Sequence, residues 1–506
     1  MFSQSDIQEL IDKAFEAALE KFKKQDYKDA DIILSQSIKI QPDNSKILHL
    51  IGITKYALQD YENAIKYFNL ILDKDPDDFE TLNNISLAYG GLGNFNLSVD
   101  FLKKALKVKS NASVHNNLGV QLRHQGNLKE AIYHFNQSRN LCECDTEIAK
   151  AYAMIAGCYG EMKDLNKSEK YLNKALKFDN NLAGAHLDLS NIYQLRGEWS
   201  KSWAEYEYRH DVFEQLKIWR KIYNAEKQWK GESLEGKILI VHGEQGHGDC
   251  IHFFRYIKFL KCKVILHCSE ILKTLLQPYV DEIYTTDPVA ITDLNEIPFH
   301  DYHCSIMSLP YVLNASFIPP APYIHVDTKL EMPNYEQFLK IGIVWTGNPQ
   351  HPNDKYRSCY LKNFKQIHDL QNVKLFSLVK DTRNRIYRFE KDPIDYTEGA
   401  DDMKIIDMAP FMNSFKDTAE IMNSMDLIIS VDTSSLHLAG AMGIPTLGLL
   451  SWNNDWRWGL TGEISEWYPT VKLFRQKKLG EWNHVFQEIK QEIIHKYLLH
   501  KGKVEI

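Results

Sequence analysis

Residues 11–211 repeat with a period of about 34 residues, and this periodicity constrains the architecture more than any single motif. With Ala64, Phe68 and Pro76 as reference, Ala30, Leu34 and Pro42 stand one period earlier. Ser98, Leu102 and Ala105 follow, then Ala131 and Phe135, then Ser168, Leu172 and Ala175, then Ser202 and Tyr206. A unit of this length holds two helices, and neither buries its apolar stripe without a neighbour stacked on it. Six helical hairpins are implied. The first helix of each unit carries matching small or aromatic marks: Gly52, Tyr89 with Gly93, Gly119 with Gly126, Tyr159, and Tyr193 with Gly197. Small residues let helices cross closely, and large ones fill the gaps between hairpins.

These marks resemble tetratricopeptide repeats. Several units lack the proline and have Ser where Ala is usual. The resemblance implies an α-solenoid whose concave groove takes an extended peptide or protein partner. A solenoid that serves only as spacer is the alternative.

Past the repeats, residues 212–232 place Trp219, Tyr223 and Trp229 at roughly helical spacing, which predicts one connecting helix. The period then changes. Ile238, Leu239, Ile240 and Val241 read as a buried strand, GEQGHGD as a loop, and Ile251, Phe253, Phe254, Ile257 and Leu260 as an amphipathic helix. The loop glycines, Gly243, Gly246 and Gly248, lack the GxGxxG spacing of dinucleotide folds and the GK[ST] ending of a P-loop. Neither NAD binding nor ATP hydrolysis is supported. Strands and helices alternate up to a proline-rich passage over 310–333, and a second α/β unit starts near Lys340. The expected fold is therefore α plus α/β: a solenoid, a Rossmann-like unit over 233–330, and a second over 331–506 that ends in a helix.

The second unit contains the stretch 425–458. Leu427, Ile428, Ile429 and Val431 form an apolar run of the kind a parallel strand buried on both faces requires. Thr433 and Ser434 open a helix that Gly443, Ile444 and Pro445 close, and a second strand follows from Thr446. Ligands of such sheets sit beyond the carboxyl ends of the strands, where a helix N-terminus favours an anion. Thr433, Ser434 and Ser435 stand there. The capping-box Glu or Gln is replaced by Leu436 and His437, which leaves the amide end free for a phosphate. An ordinary capped helix with a packing histidine is the plainer reading.

Composition narrows the function. A net charge of -7 and a pI near 6.3 argue against a general nucleic-acid binder. The N-terminal stretch has no signal-peptide core, and no run approaches a transmembrane length of about 18 apolar residues, so a cytoplasmic location is expected. The eight cysteines have no CxxC pairing, so neither a zinc site nor a disulfide framework is indicated.

Four pieces together, EQGHGD, WTGNP with the following Lys355 and Arg357, VDTSSLHLAGA, and WNNDWRW, resemble the heptosyltransferase-like glycosyltransferases over about 233–480. That resemblance implies two-domain GT-B enzymes that transfer a sugar, with inversion, from a nucleotide diphosphate donor. It implies Asp249 as the base that takes the acceptor proton; His247 stands where the family usually has an apolar residue, and either helps the base or alters the acceptor pocket. It also places Lys355, Arg357, Asp432, Thr433, Ser434, Ser435 and His437 around the donor. Lys355 and Arg357 lie two apart, so an extended loop would point both the same way. Trp452 and Trp456 are candidate stacking surfaces for a base or sugar. No DxD-like metal motif is found, so protein groups are expected to stabilise the departing diphosphate, with no cofactor beyond the nucleotide-sugar itself. The rival is a non-catalytic scaffold or peptide-binding adaptor with a degenerate transferase module.

Overall fold

A computed structural model of the chain describes residues 4–287, 291, 296–351, 353–380, 397 and 399–499. The chain divides into two compact units, 1–189 and 190–506.

The expected hairpins are α1 (Gln4–Lys23) with α2 (Tyr27–Ile40), α3 (Ser45–Ala57) with α4 (Tyr61–Leu72), and α5 (Phe79–Gly91) with α6 (Phe95–Val108). They continue as α7 (Ala112–His124) with α8 (Leu128–Leu141), α9 (Asp145–Glu161) with α10 (Leu165–Phe178), and α11 (Ala183–Leu195) with α12 (Trp199–Tyr206). Each hairpin turns through one left-handed residue: Gln25, Gln59, Gly93, Gly126, Lys163 or Gly197. In three hairpins the next residue, Asp26, Asn94 or Asp164, caps the second helix by accepting an amide. Gly52 and Gly119 are obligatory, because a Cβ there would lie 2.5 and 2.6 Å from the rings of Phe68 and Phe135. Where Ser replaces Ala, its hydroxyl is satisfied: Ser98 donates across the hairpin to the Ser86 carbonyl at 2.7 Å and Ser168 to that of Ala156 at 2.9 Å, while Ser202 donates within its own helix to the Trp199 carbonyl at 3.1 Å. The exchange therefore adds no unpaired polar group to the core.

The second unit starts earlier than the repeat pattern suggests. Trp199 and Trp203 of α12 pack against Phe253, Trp456 and Trp467, so this last helix belongs with the α/β core and the solenoid unit ends at Leu189 rather than at residue 211. The single helix expected over 212–232 is also not formed. Short helices α13 (Arg209–Val212) and α14 (Lys217–Ile222) are separated by extended backbone at Phe213 and a 3-10 turn at Glu214–Leu216, and α14 ends at extended Tyr223. The break lets Trp219 and Tyr223 lie over a face of the first sheet, where both stack on His242.

That sheet contains β1 (Ile238–His242), β2 (Lys263–His267), β3 (Glu282–Tyr284) and β4 (Tyr302–Ser305), all parallel in the order β3-β2-β1-β4. Helices α15 (His247–Phe253), α16 (Glu270–Leu276) and α17 (Leu309–Val312) connect or follow its strands. The second sheet contains β5 (Leu339–Val344), β6 (Val373–Ser377), β7 (Ile406–Asp407), β8 (Leu427–Val431), β9 (Thr446–Leu450) and β10 (Val471–Arg475). Its order is β10-β9-β8-β5-β6-β7, again all parallel. Helices α18 (Asp354–Arg357), α19 (Lys365–His368), α20 (Phe415–Met422), α21 (Ser434–Met442) and α22 (Asn483–Glu492) accompany it.

Both sheets follow the doubly wound plan, in which strand order reverses beside the first strand and opens a crevice at the carboxyl ends. Those crevices lie between β1 and β4 and between β5 and β8. The expected helix α21 runs between the expected residues, with Gly443 left-handed at its end. No helix among the described residues is long and apolar enough to cross a membrane.

Candidate functional site

Asp249 stands in the first turn of α15, directly after the glycine loop that follows β1. Its Oδ2 accepts the Gly246 amide at 3.0 Å, which closes the start of the helix as an acidic residue at this position can. Its Oδ1 receives Nη2 of Arg457 at 2.6 Å, and the Asp249 side chain keeps 22% of its exposure. Burial pushes this carboxyl above the ordinary aspartate range, Arg457 opposes that, and Asp455 adds to it. A carboxyl poised in this way suits a general base better than a fully solvated one. His247 is exposed and its ring meets Phe415 edge-on at 5.5 Å.

The amino end of α21 lies against that of α15. A Cβ on Gly248 would come within 2.9 Å of the His437 ring and 3.3 Å of the Ser434 Cα, so only glycine permits this approach. No side chain caps α21, and the Thr433 hydroxyl turns back to the Val431 carbonyl at 3.3 Å. Thr433, Ser434 and Ser435 therefore present first-turn amides at the strand end, in the setting that binds anions. Asp432, immediately before them, has its carboxyl raised to about 6 by burial and by the neighbouring Asp455, against the pull of Arg357.

His437 has a structural role. It is buried, accepts or donates at 3.0 Å with the Tyr468 hydroxyl, and stacks on Trp458. His252 of α15 meets the same hydroxyl at 2.9 Å, so Tyr468 joins the two α/β layers. Burial holds both imidazoles well below their ordinary range and hence neutral.

Lys355 and Arg357 do not lie on an extended loop that points both the same way. They sit in the single turn of α18, where residues two apart diverge by about 200°. Lys355 is exposed, with its ammonium 4.9 Å from the Tyr356 ring centre. Arg357 is drawn inward: Nη1 donates to the Asp432 carbonyl at 3.0 Å, and Nε lies 3.5 Å from Asp354. Its guanidinium passes so close to Gly347 of WTGNP that a Cβ there would meet it at 2.5 Å. The loops after β5 and β8 are thus joined across the crevice of the second sheet.

The two tryptophans separate. Trp452 is 38% exposed at the strand-end loop. Trp456 is only 8% exposed, packed among Trp199, Trp203, Trp467 and Phe253, so it cannot stack on a nucleotide. Three aromatics from α12 and the C-terminal layer make it part of the core.

Sequence reasoning missed three charged residues. Arg457 pairs with Asp249 and also, through Nη1 at 2.9 Å, with Asp455. Arg209 of α13 is completely buried and holds Glu244 of EQGHGD by Nε at 2.5 Å and Nη2 at 2.9 Å. Ser305 at the end of β4 donates to the same carboxylate, and Ser308 accepts from Arg209 at 2.8 Å. The β1/β4 crevice is therefore filled by the protein's own guanidinium. Arg457, inside the WRW run, was the only findable signal, as a lone cation among aromatics. Among the described residues no group of three or more His, Cys, Asp or Glu side chains is placed to hold a metal ion.

A repeat solenoid followed by two parallel doubly wound sheets, with uncapped strand-end amides and a carboxylate at their seam, is consistent with a GT-B-like transferase. The chain carries tetratricopeptide repeats, matched at residues 45–78, 79–111 and 110–181, and a glycosyltransferase family 9 (heptosyltransferase) domain, matched at 359–478. It is similar to the protein FlbA of Caulobacter vibrioides, with 22% identity over 88% of this chain and 78% of that one. Among solved structures, MamA is similar at 20% identity and a TM-score of 0.31, over 34% of this chain and 93% of that one. The Cut9–Hcn1 hetero-tetramer of the APC/C is similar at 15% identity and a TM-score of 0.35, over 41% and 42%.

Proposed function

We propose that the protein is a metal-independent inverting glycosyltransferase, acting in the cytoplasm, which moves a sugar from a nucleotide diphosphate donor to an acceptor recruited by the solenoid groove. The observation that carries this reading is the contact of Gly248 with Ser434, which brings the turn bearing Asp249 against the uncapped amides of α21. In the reaction an acceptor hydroxyl attacks the anomeric carbon and its proton passes to Asp249. The bond to the diphosphate breaks, and the nucleoside diphosphate leaves with the bonding electrons. Amides of Ser434 and Ser435, with Arg357 and Lys355, stabilise the leaving charge.

ADP-, GDP- and UDP-hexoses are tested for thermal stabilisation, where a ligand at about 100 times its Kd adds roughly 2.7 kcal/mol. Asp249→Asn is expected to keep donor binding while turnover falls by about a hundredfold or more. Lys355→Ala and Arg357→Ala weaken donor binding, Arg357 more strongly because it is the less solvated. Transfer persists in EDTA. Binding without any transfer would favour the scaffold reading, and activity restored only by manganese would refute metal independence.

A further inference from the structure

We infer that Arg457 is a positioning residue for Asp249, fixing the direction of its carboxylate and keeping it in the charged form that can accept a proton. The inference deepens the reading of Asp249 as base and rests on it. Asp249 and Arg457 are 208 residues apart in sequence, yet they meet at 2.6 Å, and only 7% of the Arg457 side chain is exposed. The guanidinium lies between aromatic faces, 4.4 Å from the Trp456 ring centre and 5.6 Å from that of Phe253. Asp455 orients it from the other side, accepting Nη1 at 2.9 Å and the Arg457 amide at 3.0 Å. Such a planar fork, held by packing and by a second carboxylate, fixes a geometry that a flexible lysine does not.

The other groups facing Asp249 make this role necessary. Asp455 and Glu244 both disfavour a second negative charge, and Tyr206 of α12 lies within the same field. Glu244 is itself committed to Arg209. The Gly246 amide and Arg457 are the groups that favour the carboxylate, and Arg457 is the larger of the two. Without it the carboxyl is pushed further toward the neutral acid, the form that cannot accept the acceptor proton.

The test is a double-mutant cycle of Asp249→Asn and Arg457→Met in the full chain, followed by urea denaturation at pH 8 and pH 5. Tryptophan fluorescence reads the second unit. At pH 8 the midpoint losses are expected to be non-additive, and any change in the non-additivity toward pH 5 to be a decrease, the direction in which Asp249 takes up its proton. Additive losses at pH 8, or a larger coupling at pH 5 than at pH 8, would overturn the inference whatever the protein's activity. A second arm follows nucleoside diphosphate release from an ADP-, GDP- or UDP-hexose. In Arg457→Met the acid limb of the rate profile moves to higher pH, and Arg457→Lys brings it part of the way back. An equal loss at every pH points to packing alone and refutes the role. Full release by Asp249→Asn would instead refute the base reading, an outcome distinct from a failed cycle.

Discussion

Arg209→Ala is expected to be among the most damaging single substitutions in the second unit. The side chains of Arg209 and Glu244 are both 0% exposed, so removing the guanidinium leaves a buried carboxylate with the Ser305 hydroxyl and with His210 3.9 Å away. Breaking such a pair from one side costs about 3–5 kcal/mol, whereas removing both charges is often near neutral. Burial, the largest single influence, would raise the Glu244 carboxyl, but Arg209 together with His210 and Ser305 outweighs it and the net direction is downward. A depressed carboxyl stabilises the native state above its unfolded value of about 4.3, and this contribution is lost as pH falls through the lower folded value. In Arg209→Ala the same carboxyl is raised, so its penalty is relieved on acidification and the two stability curves converge. All ten tryptophans lie at position 199 or later, so urea denaturation followed by their fluorescence reports the second unit alone. Arg209→Gln with Glu244→Gln recovers most of the loss. A cost below about 1 kcal/mol, or one that does not change between pH 8 and pH 5, would refute the claim that this pair is desolvated and mutually dependent.

Three further outcomes follow from particular residues. Asp432→Asn stabilises the second unit at pH 8 and not at pH 4: a carboxyl raised to about 6 destabilises the native state as pH rises through that value, by at most about 3 kcal/mol, and a loss of stability at pH 8 would contradict this sign. Gln59→Gly and Lys163→Gly, at hairpin turns with φ of 62° and 61°, each stabilise the solenoid by about 0.5–1 kcal/mol, because Gly93 and Gly126 already show what the turn prefers; circular dichroism melts would detect the change. A fragment spanning 233–506 lacks Trp199, Trp203, Arg209 and Tyr223 and is expected to aggregate or melt well below one spanning 190–506, whereas equal melting temperatures would show that α12 to α14 do not belong to this core.

How much could be read from the sequence depended on the range of the determining contact. The hairpins were legible because Ala64, Phe68 and their equivalents recur at a fixed spacing, and α21 because its start at Ser434 and its stop at Gly443 are local signals. Lys355 and Arg357 were misread as extended because a one-turn helix has too few residues to show a period. Trp456 looked available for stacking because nothing nearby reveals that Trp199, more than 250 residues earlier, will cover it. The connecting helix failed for the same reason. Trp219 and Tyr223 do have helical spacing, but their partners are His242 and His303 on strands, and reaching them requires the chain to break on both sides. The Asp249–Arg457 pair was invisible as a pair, although both halves lay inside motifs already singled out.

The two switch-point crevices, built alike, have opposite fates, and the difference lies in what each arginine meets. At the first sheet Arg209 enters between β1 and β4, finds a carboxylate on Glu244 and hydroxyls on Ser305 and Ser308, and is completely buried. A charge satisfied so fully has no donor left for a ligand, and displacing it would expose the cost of an unpaired Glu244. The crevice has become a fastener that fixes the loop leading to Asp249. At the second sheet Arg357 donates to the Asp432 carbonyl at 3.0 Å, pairs with Asp354 at 3.5 Å, and stays 15% exposed beside the uncapped start of α21. Its ion pair is longer than that of Arg209, and on the proposed reading this leaves the guanidinium able to turn to an incoming diphosphate. The same strand-loop-helix pattern thus yields one half closed by its own buried ion pair and one half whose arginine is more loosely held. The proposed transfer, which joins an acceptor hydroxyl to a phosphate-bearing donor, would use that division.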